Sequence, residues 1–405
     1  MPLARAQRPA SFHGSPEAPA IRYSSTTPSN AIEQLNARLD AGAARIEFRG
    51  RAGYLRSALQ AIGLPVDSQL LVFSDASFQA RRISETNPRA IFFKDDVALG
   101  WVRDGEVIEV AAQDDRLGTV FYTLQQKETA APRFKRAMVC LGCHLTGGTL
   151  DVPGLVLFSS SPRGGRPFAS VIYMNQTTPI AERFGGWFVT GARLPAEHLG
   201  NAVAALNGSS RALTSTGSLY PGDGYLANTS DVAALLVFAH QAQTVNLLIL
   251  AGWEARVNEP DSAAATARDT SAAVLRRAAR DLADSLLFID EARLDAPIRG
   301  SSGFAERFSA EGPRDRKGRS LRQLDLTRRL MRYPCSYLIN SPMFDRLPEH
   351  MKTLVYERLW QILSGAEHGP RYRSALTFDD RRAIVEILRG TKQGLPSYFA
   401  GRVTE

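Results

Sequence analysis

The 405-residue chain is poor in cysteine and lysine, with three of the first and six of the second. Three thiols, at Cys140, Cys143 and Cys335, exclude a disulfide framework, so stability has to come from an apolar core. The lysines are Lys94, Lys127, Lys135, Lys317, Lys352 and Lys392, so the 49 basic residues that face 41 acidic ones are nearly all arginine. The net charge of +8 comes with no nucleic-acid-binding signature, and its arginines are scattered among acids, so no nucleic-acid partner is expected. Glycine (32) and proline (22) are near average and no repeat is present, which excludes collagen-like, low-complexity and solenoid architectures. At 44% apolar and 22% charged, the composition is that of a soluble globular protein of one large or two smaller units.

Long hydrophobic runs are also scarce. The first eight residues, Met1-Pro2-Leu3-Ala4-Arg5-Ala6-Gln7-Arg8, hold no apolar run of signal-peptide length. The one run long enough to cross a membrane, 232–252, has His240, Gln241, Gln243 and Asn246 near its centre. Each of these is costly in hydrocarbon, so the run reads as a buried helix of a soluble protein and no transmembrane segment is expected.

What is present divides the chain into three parts. Residues 1–30 carry Pro2, Pro9, Pro16, Pro19 and Pro28 and few large apolar side chains, and read as a flexible arm. Residues 31–230 open with helices over 31–39 and 54–62 and then turn to short strands near 70–73, 90–93, 97–102, 106–111, 119–124, 155–159 and 170–174. The Asp104-Gly105 step predicts a type I′ hairpin turn, and 201–206 predicts a short helix. Residues 231–405 predict helices over 232–257, 264–291, 319–333, 348–363 and 378–388. The expected class is α+β, with a β-rich region followed by a mainly helical C-terminal region packed over it.

Between two of the strands lies Cys140-Leu141-Gly142-Cys143-His144. Two thiols three residues apart on one helical turn can add to the two vinyl groups of haem, and the next histidine then lies under the iron. Gly147 and Gly148 follow to let the chain leave the porphyrin face. A redox dithiol would want a thioredoxin-like βαβ pattern, which is missing. A zinc ion would need a fourth donor beside Cys140, Cys143 and His144, either a water or a side chain such as Cys335 or another histidine, making the chain a non-haem metal-binding scaffold.

Over 140–144 the chain resembles c-type cytochromes. The resemblance implies one covalent haem c, with thioethers at Cys140 and Cys143 and His144 as axial ligand. The motif is preceded by a β-rich stretch and followed nearby only by Met174, so a class I cytochrome c fold is not expected throughout. The segments Arg183-Phe184-Gly185-Gly186-Trp187-Phe188-Val189-Thr190-Gly191, His198-Leu199-Gly200-Asn201 and Pro334-Cys335-Ser336-Tyr337 resemble a group of large, atypical single-haem bacterial cytochrome c domain proteins. Thioether attachment takes place outside the bacterial cytoplasm, so the resemblance implies a periplasmic or otherwise exported protein whose leader is absent from this sequence.

A haem iron with two protein ligands passes electrons; one with an open sixth position binds oxygen, peroxide or a small gas. The candidates for the sixth position are His240, with Gln243 and Thr244 on its helical face, and His198 beside Gly200. Met174 and Cys335 read as core, and His13, His350 and His368 lie in the arm or beside loops. Arg183, Arg163 and Arg166 are candidates for the haem carboxylates. The expected function is electron transfer, with a peroxidase-like oxidoreductase or a gas-binding protein as the alternative. The expected partner is a redox protein, an acidic one if the basic stretch 314–332 is its docking patch.

Overall fold

A computed structural model describes residues 9–74, 77–161, 170–204, 210–212, 224–259, 265–367 and 369–405. It is a mixed α and β protein, with a β-rich N-terminal region and a helical C-terminal region. Helix α1 (Ala31–Asp40) starts at Asn30, whose side chain accepts the Ile32 and Glu33 N–H groups that the first turn leaves free. Helix α2 (Leu55–Ile62) stops at Gly63, which takes the left-handed conformation (φ 76°).

The strands β1 (Leu70–Val72), β2 (Arg89–Phe93), β3 (Val97–Trp101), β4 (Val107–Asp114), β5 (Gly118–Gln125) and β6 (Lys135–Arg136) form one antiparallel meander in sequence order. Period-two alternation gives this sheet two unequal faces. Phe92, Leu99, Val110 and Tyr122 point to a dry face, where the Tyr122 hydroxyl meets the Asn30 cap of α1. Ile91, Ala98, Gly100, Glu109, Ala111, Phe121 and Thr123 point to the other, more thinly covered face. The β3–β4 hairpin forms where predicted, but its turn sits one residue early. Gly105 N–H bonds Val102 O (2.9 Å), and Asp104 alone supplies the positive φ (57°).

The short helix α3 (Leu141–His144) follows β6, and the hairpin β7 (Phe158–Ser161) and β8 (Ser170–Tyr173) comes after it. In place of a helix over 201–206, β9 (Ala202–Ala204) pairs with β10 (Ser210–Ala212), an outcome that propensity alone does not reveal because partner strands lie outside the local window.

Helix α4 (Val232–Val257) is capped by Asp231, which accepts Ala233 and Ala234 N–H. It is apolar on every side and long enough to cross a membrane, yet 94% of its most apolar eighteen-residue window is buried inside the protein. Its fully buried polar side chains find partners. Gln241 donates to Lys94 O and Asp95 O and accepts from the Tyr337 hydroxyl, and Thr244 bonds Ser285. The helix lies along part of the thinly covered sheet face, with Phe238 against Phe93 (4.6 Å between rings) and Trp253 donating to Arg116 O.

Helices α5 (Ala265–Leu286), α6 (Phe304–Ala310), α7 (Pro342–Asp345), α8 (Glu349–Ser364), α9 (Pro370–Ala375) and α10 (Phe378–Thr391) complete the described chain. Residues 319–333 are turns and a bridge rather than the predicted helix, because their arginines are drawn out to separate acids. Arg319 pairs with Asp315 and Glu386, Arg322 with Asp95 and Glu311, and Arg329 with Asp380.

The expected flexible arm is corrected over residues 9–30, which are packed. Phe12, Ile21 and Tyr23 are buried, and Phe12 and Tyr23 set their rings against Trp253 of α4. Three large side chains suffice here because a distant helix supplies the surface they cover. The same segment braces the Cys140–His144 loop at both ends. Phe12 N–H bonds Leu150 O beyond it, and Arg136 before it stacks on Tyr23 and donates to Thr26 O.

Candidate functional site

The motif is delivered by the sheet edge. Strand β6 pairs Arg136 with Tyr122 and Lys135 with Thr123, and Ala137 N–H extends the ladder to Phe121 O. A single 3₁₀ turn, Met138–Cys140, then leads into α3, so both cysteines and the histidine share little more than one helical turn. All three thiols are free; Cys143 is exposed, Cys140 half-buried and Cys335 buried. Burial first, and then the charge of Glu109 and the neighbouring Cys143, push the Cys140 thiol up to about 11.

His144 is held by the backbone of the loop that follows it. Its Nδ1–H donates to Gly154 O at 2.9 Å, and Gly154 N–H returns a bond to His144 O at 2.9 Å. Because a carbonyl only accepts, this fixes the proton on Nδ1 and leaves Nε2 with its lone pair, the tautomer of a metal-binding histidine. The ring packs on Phe121, with centroids 4.7 Å apart. Burial lowers the imidazole pKa, against the opposing pull of the Gly154 bond.

Gly154 is in turn held by α4, where Asn246 accepts Leu155 N–H (2.9 Å) and donates to Leu155 O (2.7 Å). A Cβ on Gly154 would lie 2.3 Å from Asn246 Oδ1, so only glycine fits. At Gly148 a Cβ would meet the half-exposed Tyr173 ring at 2.1 Å, so that ring would have to swing aside. Around the motif, Met138, Val139, Val171 and Tyr173 are large apolar side chains left exposed.

The other predicted residues fall elsewhere. His240 is fully buried and both its nitrogens are engaged: Nδ1 with Gln176 Oε1, and Nε2 with Ser336 Oγ at 2.7 Å. It stacks on Phe288 at 4.2 Å, and burial drives its pKa down to about 3. Its orienting groups are thus Gln176 and Ser336, with Thr244 at 3.4 Å, rather than Gln243. The structure gives it no nitrogen free for iron, since a satisfied core network has taken both.

His198 keeps a buried Nδ1 without a hydrogen-bond partner and lies edge-on to Phe184. Met174 is core, and the Cys335 thiol, fully buried, is pushed up to about 12. Arg183 is spent on Thr178 O and Gln176 O, both buried, so it is not free for a cofactor carboxylate. Arg163, Arg166 and His368 lie outside the described residues. Among the described residues, no three His, Cys, Asp or Glu side chains gather to hold a metal ion, so Cys140, Cys143 and His144 offer zinc no preformed donor set.

Sequence reasoning does not single out Arg89 and Glu109, an ion pair on the same thinly covered sheet face as Phe121. No local motif marks them; only the strand register brings them there. No protein-family model, curated protein or solved structure matches the chain.

Proposed function

We propose that this chain is an exported single-haem c-type protein that acts in electron transfer, with haem attached at Cys140 and Cys143 and His144 as an axial ligand. The observation that carries the reading is the His144 Nδ1–Gly154 O bond, which presets Nε2 as a ligand one residue from an open thiol. Each thiol would add its S–H across one vinyl group, so that a thioether forms and no oxidant is consumed. Bound there, the group would supply one-electron exchange at its iron. Met138, Val139, Val171 and Tyr173 would bury their exposed apolar surface against it, worth about 25 cal/mol per Å² removed from water. Phe121 and the Asn246-clamped Gly154 would hold the His144 ring in place. The partner in this reading is a redox protein. In the basic stretch 314–332, Lys317, Arg319, Arg322 and Arg329 pair with acids, which leaves exposed Arg314, Arg316, Arg328 and Arg332 to meet an acidic partner.

One observation favours a second reading, a haem-dependent oxidoreductase or gas-binding protein with an open sixth position. His240 is fully engaged, and Met174 and Cys335 are buried, which leaves His198 among the described candidates for that position.

The test is co-expression with a c-type maturation system and an added export leader, followed by a haem stain on a denaturing gel. Haem that survives denaturation in the parent and vanishes in Cys140→Ala/Cys143→Ala supports the proposal. A folded, unstained parent overturns it. In stained protein, a ferrous spectrum indifferent to carbon monoxide supports the electron carrier, and rapid carbon monoxide binding supports the open site.

A further inference from the structure

The sheet face that supports His144 carries a long ion pair, Arg89 with Glu109 at 3.5 Å. Glu109 lies opposite Thr123 and Gly100 in the β-ladder, and Thr123 is two residues from Phe121 on the same face. Two residues along a strand span about 7 Å, so Glu109 stands one side-chain row from the ring on which His144 packs. Gly100 has no side chain, and Arg89 crosses the gap it leaves, its Cδ 3.4 Å from where a Cβ would be.

The guanidinium is poorly matched. It reaches Glu109 Oε2 only at 3.5 Å and Ser77 Oγ at 3.3 Å, although the two side chains are just 22% and 17% exposed. Its Nε is buried with no partner. Arg322 and Arg329, at comparable depth, also leave Nε unpartnered but reach a carboxylate more closely, Asp95 at 2.8 Å and Asp380 at 2.6 Å. A half-buried arginine with one long carboxylate contact leaves a field that its partner cancels incompletely. The motif lies near that pair, because the His144 ring packs on Phe121 at 4.7 Å and Phe121 is one side-chain row from Glu109 on the same sheet face.

We propose that Arg89 and Glu109 act as an opposed pair of positioned charges that set the reduction potential of the group held by Cys140, Cys143 and His144. The inference rests on the haem reading above. Oxidation adds one positive charge at the iron, so a nearby cation opposes it and a nearby anion favours it. Arg89 therefore raises the midpoint potential and Glu109 lowers it. A purely structural role would instead move both variants the same way, through a loosened sheet.

The experiment compares the matured parent protein with Arg89→Gln, Arg89→Lys and Glu109→Gln by haem stain and by redox titration followed in the visible spectrum. Arg89→Gln is expected to shift the midpoint down, Glu109→Gln to shift it up, and Arg89→Lys to stay near the parent. If Arg89→Gln does not fold, Glu109→Gln still carries the sign. Covalent haem in every variant with coincident midpoints, or with shifts of one sign, overturns the charge-pair proposal and leaves the haem reading standing. An unstained parent overturns the haem reading itself, and the proposal with it.

Discussion

His144 and Gly154 exchange two hydrogen bonds across ten residues of chain, Nδ1–H to carbonyl oxygen and N–H to carbonyl oxygen, both 2.9 Å long. The loop between them is thereby closed on the histidine, and its outer end is tied to α4 through Asn246 and Leu155. A catalytic or binding histidine needs such a fixed second partner if its free nitrogen is to point one way.

That tie can be cut from a distance. Asn246→Ala leaves the buried Leu155 N–H and C=O unpaired and is expected to cost about 2 to 4 kcal/mol. Gly154→Ala forces a Cβ against Asn246 and should destabilise by a similar amount. Thermal or urea unfolding of the two variants measures this, and on the haem proposal the visible spectrum of matured protein should report a loosened His144 in both.

His240 should matter for stability and not for cofactor attachment. His240→Ala strips both Gln176 and Ser336 of their partner and opens a cavity beside Phe288, an expected loss of about 2 to 4 kcal/mol near neutral pH. Burial holds its folded pKa near 3, below the ordinary 6.5, so its contribution is complete above about 6.5 and is lost as pH falls toward 3. The stability gap between parent and variant should therefore narrow on acidification. Unfolding curves across that range check it, and an unchanged haem stain checks the rest.

Glu291 has the opposite sign. Burial pushes its carboxyl up to about 7 despite the bond from Leu330 N–H and the charges of Arg183 and Arg329. Stability held by the protonated form is complete below about 4.5 and is lost as pH rises through about 7. Glu291→Gln keeps an acceptor for Leu330 and cannot ionise. It is expected to raise Tm at about pH 8 and to leave it near the parent at about pH 5; an equal change at both would contradict this.

The three thiols should separate by reactivity. In native, cofactor-free protein, exposed Cys143 should be labelled first by an alkylating reagent and half-buried Cys140, raised to about 11, more slowly. Cys335, fully buried and raised to about 12, should react only on unfolding. Matured protein, even denatured, should then offer the reagent Cys335 alone. Mass spectrometry of labelled peptides reads all three.

The local chemistry of the site was legible in the sequence because it is local. Spacing along one helical turn puts Cys140, Cys143 and His144 together whatever surrounds them, and propensity with capping places α4 at 232–257 and the first five strands of the meander, though β4 runs three residues further and β6 is not foreseen. Where a side chain's partner is remote, sequence patterns give no sign of it. The packing of Phe12 and Tyr23 depends on Trp253, and the unwinding of 319–333 on acids at 95, 311 and 380. His240 looked like a ligand because a polar residue inside an apolar helix needs a partner; only tertiary packing decided that the partners are Gln176 and Ser336. Likewise the register of β2 to β5, and no motif, puts Arg89 and Glu109 on the sheet face that carries Phe121, because cross-strand neighbours are chosen by the global pairing of the chain.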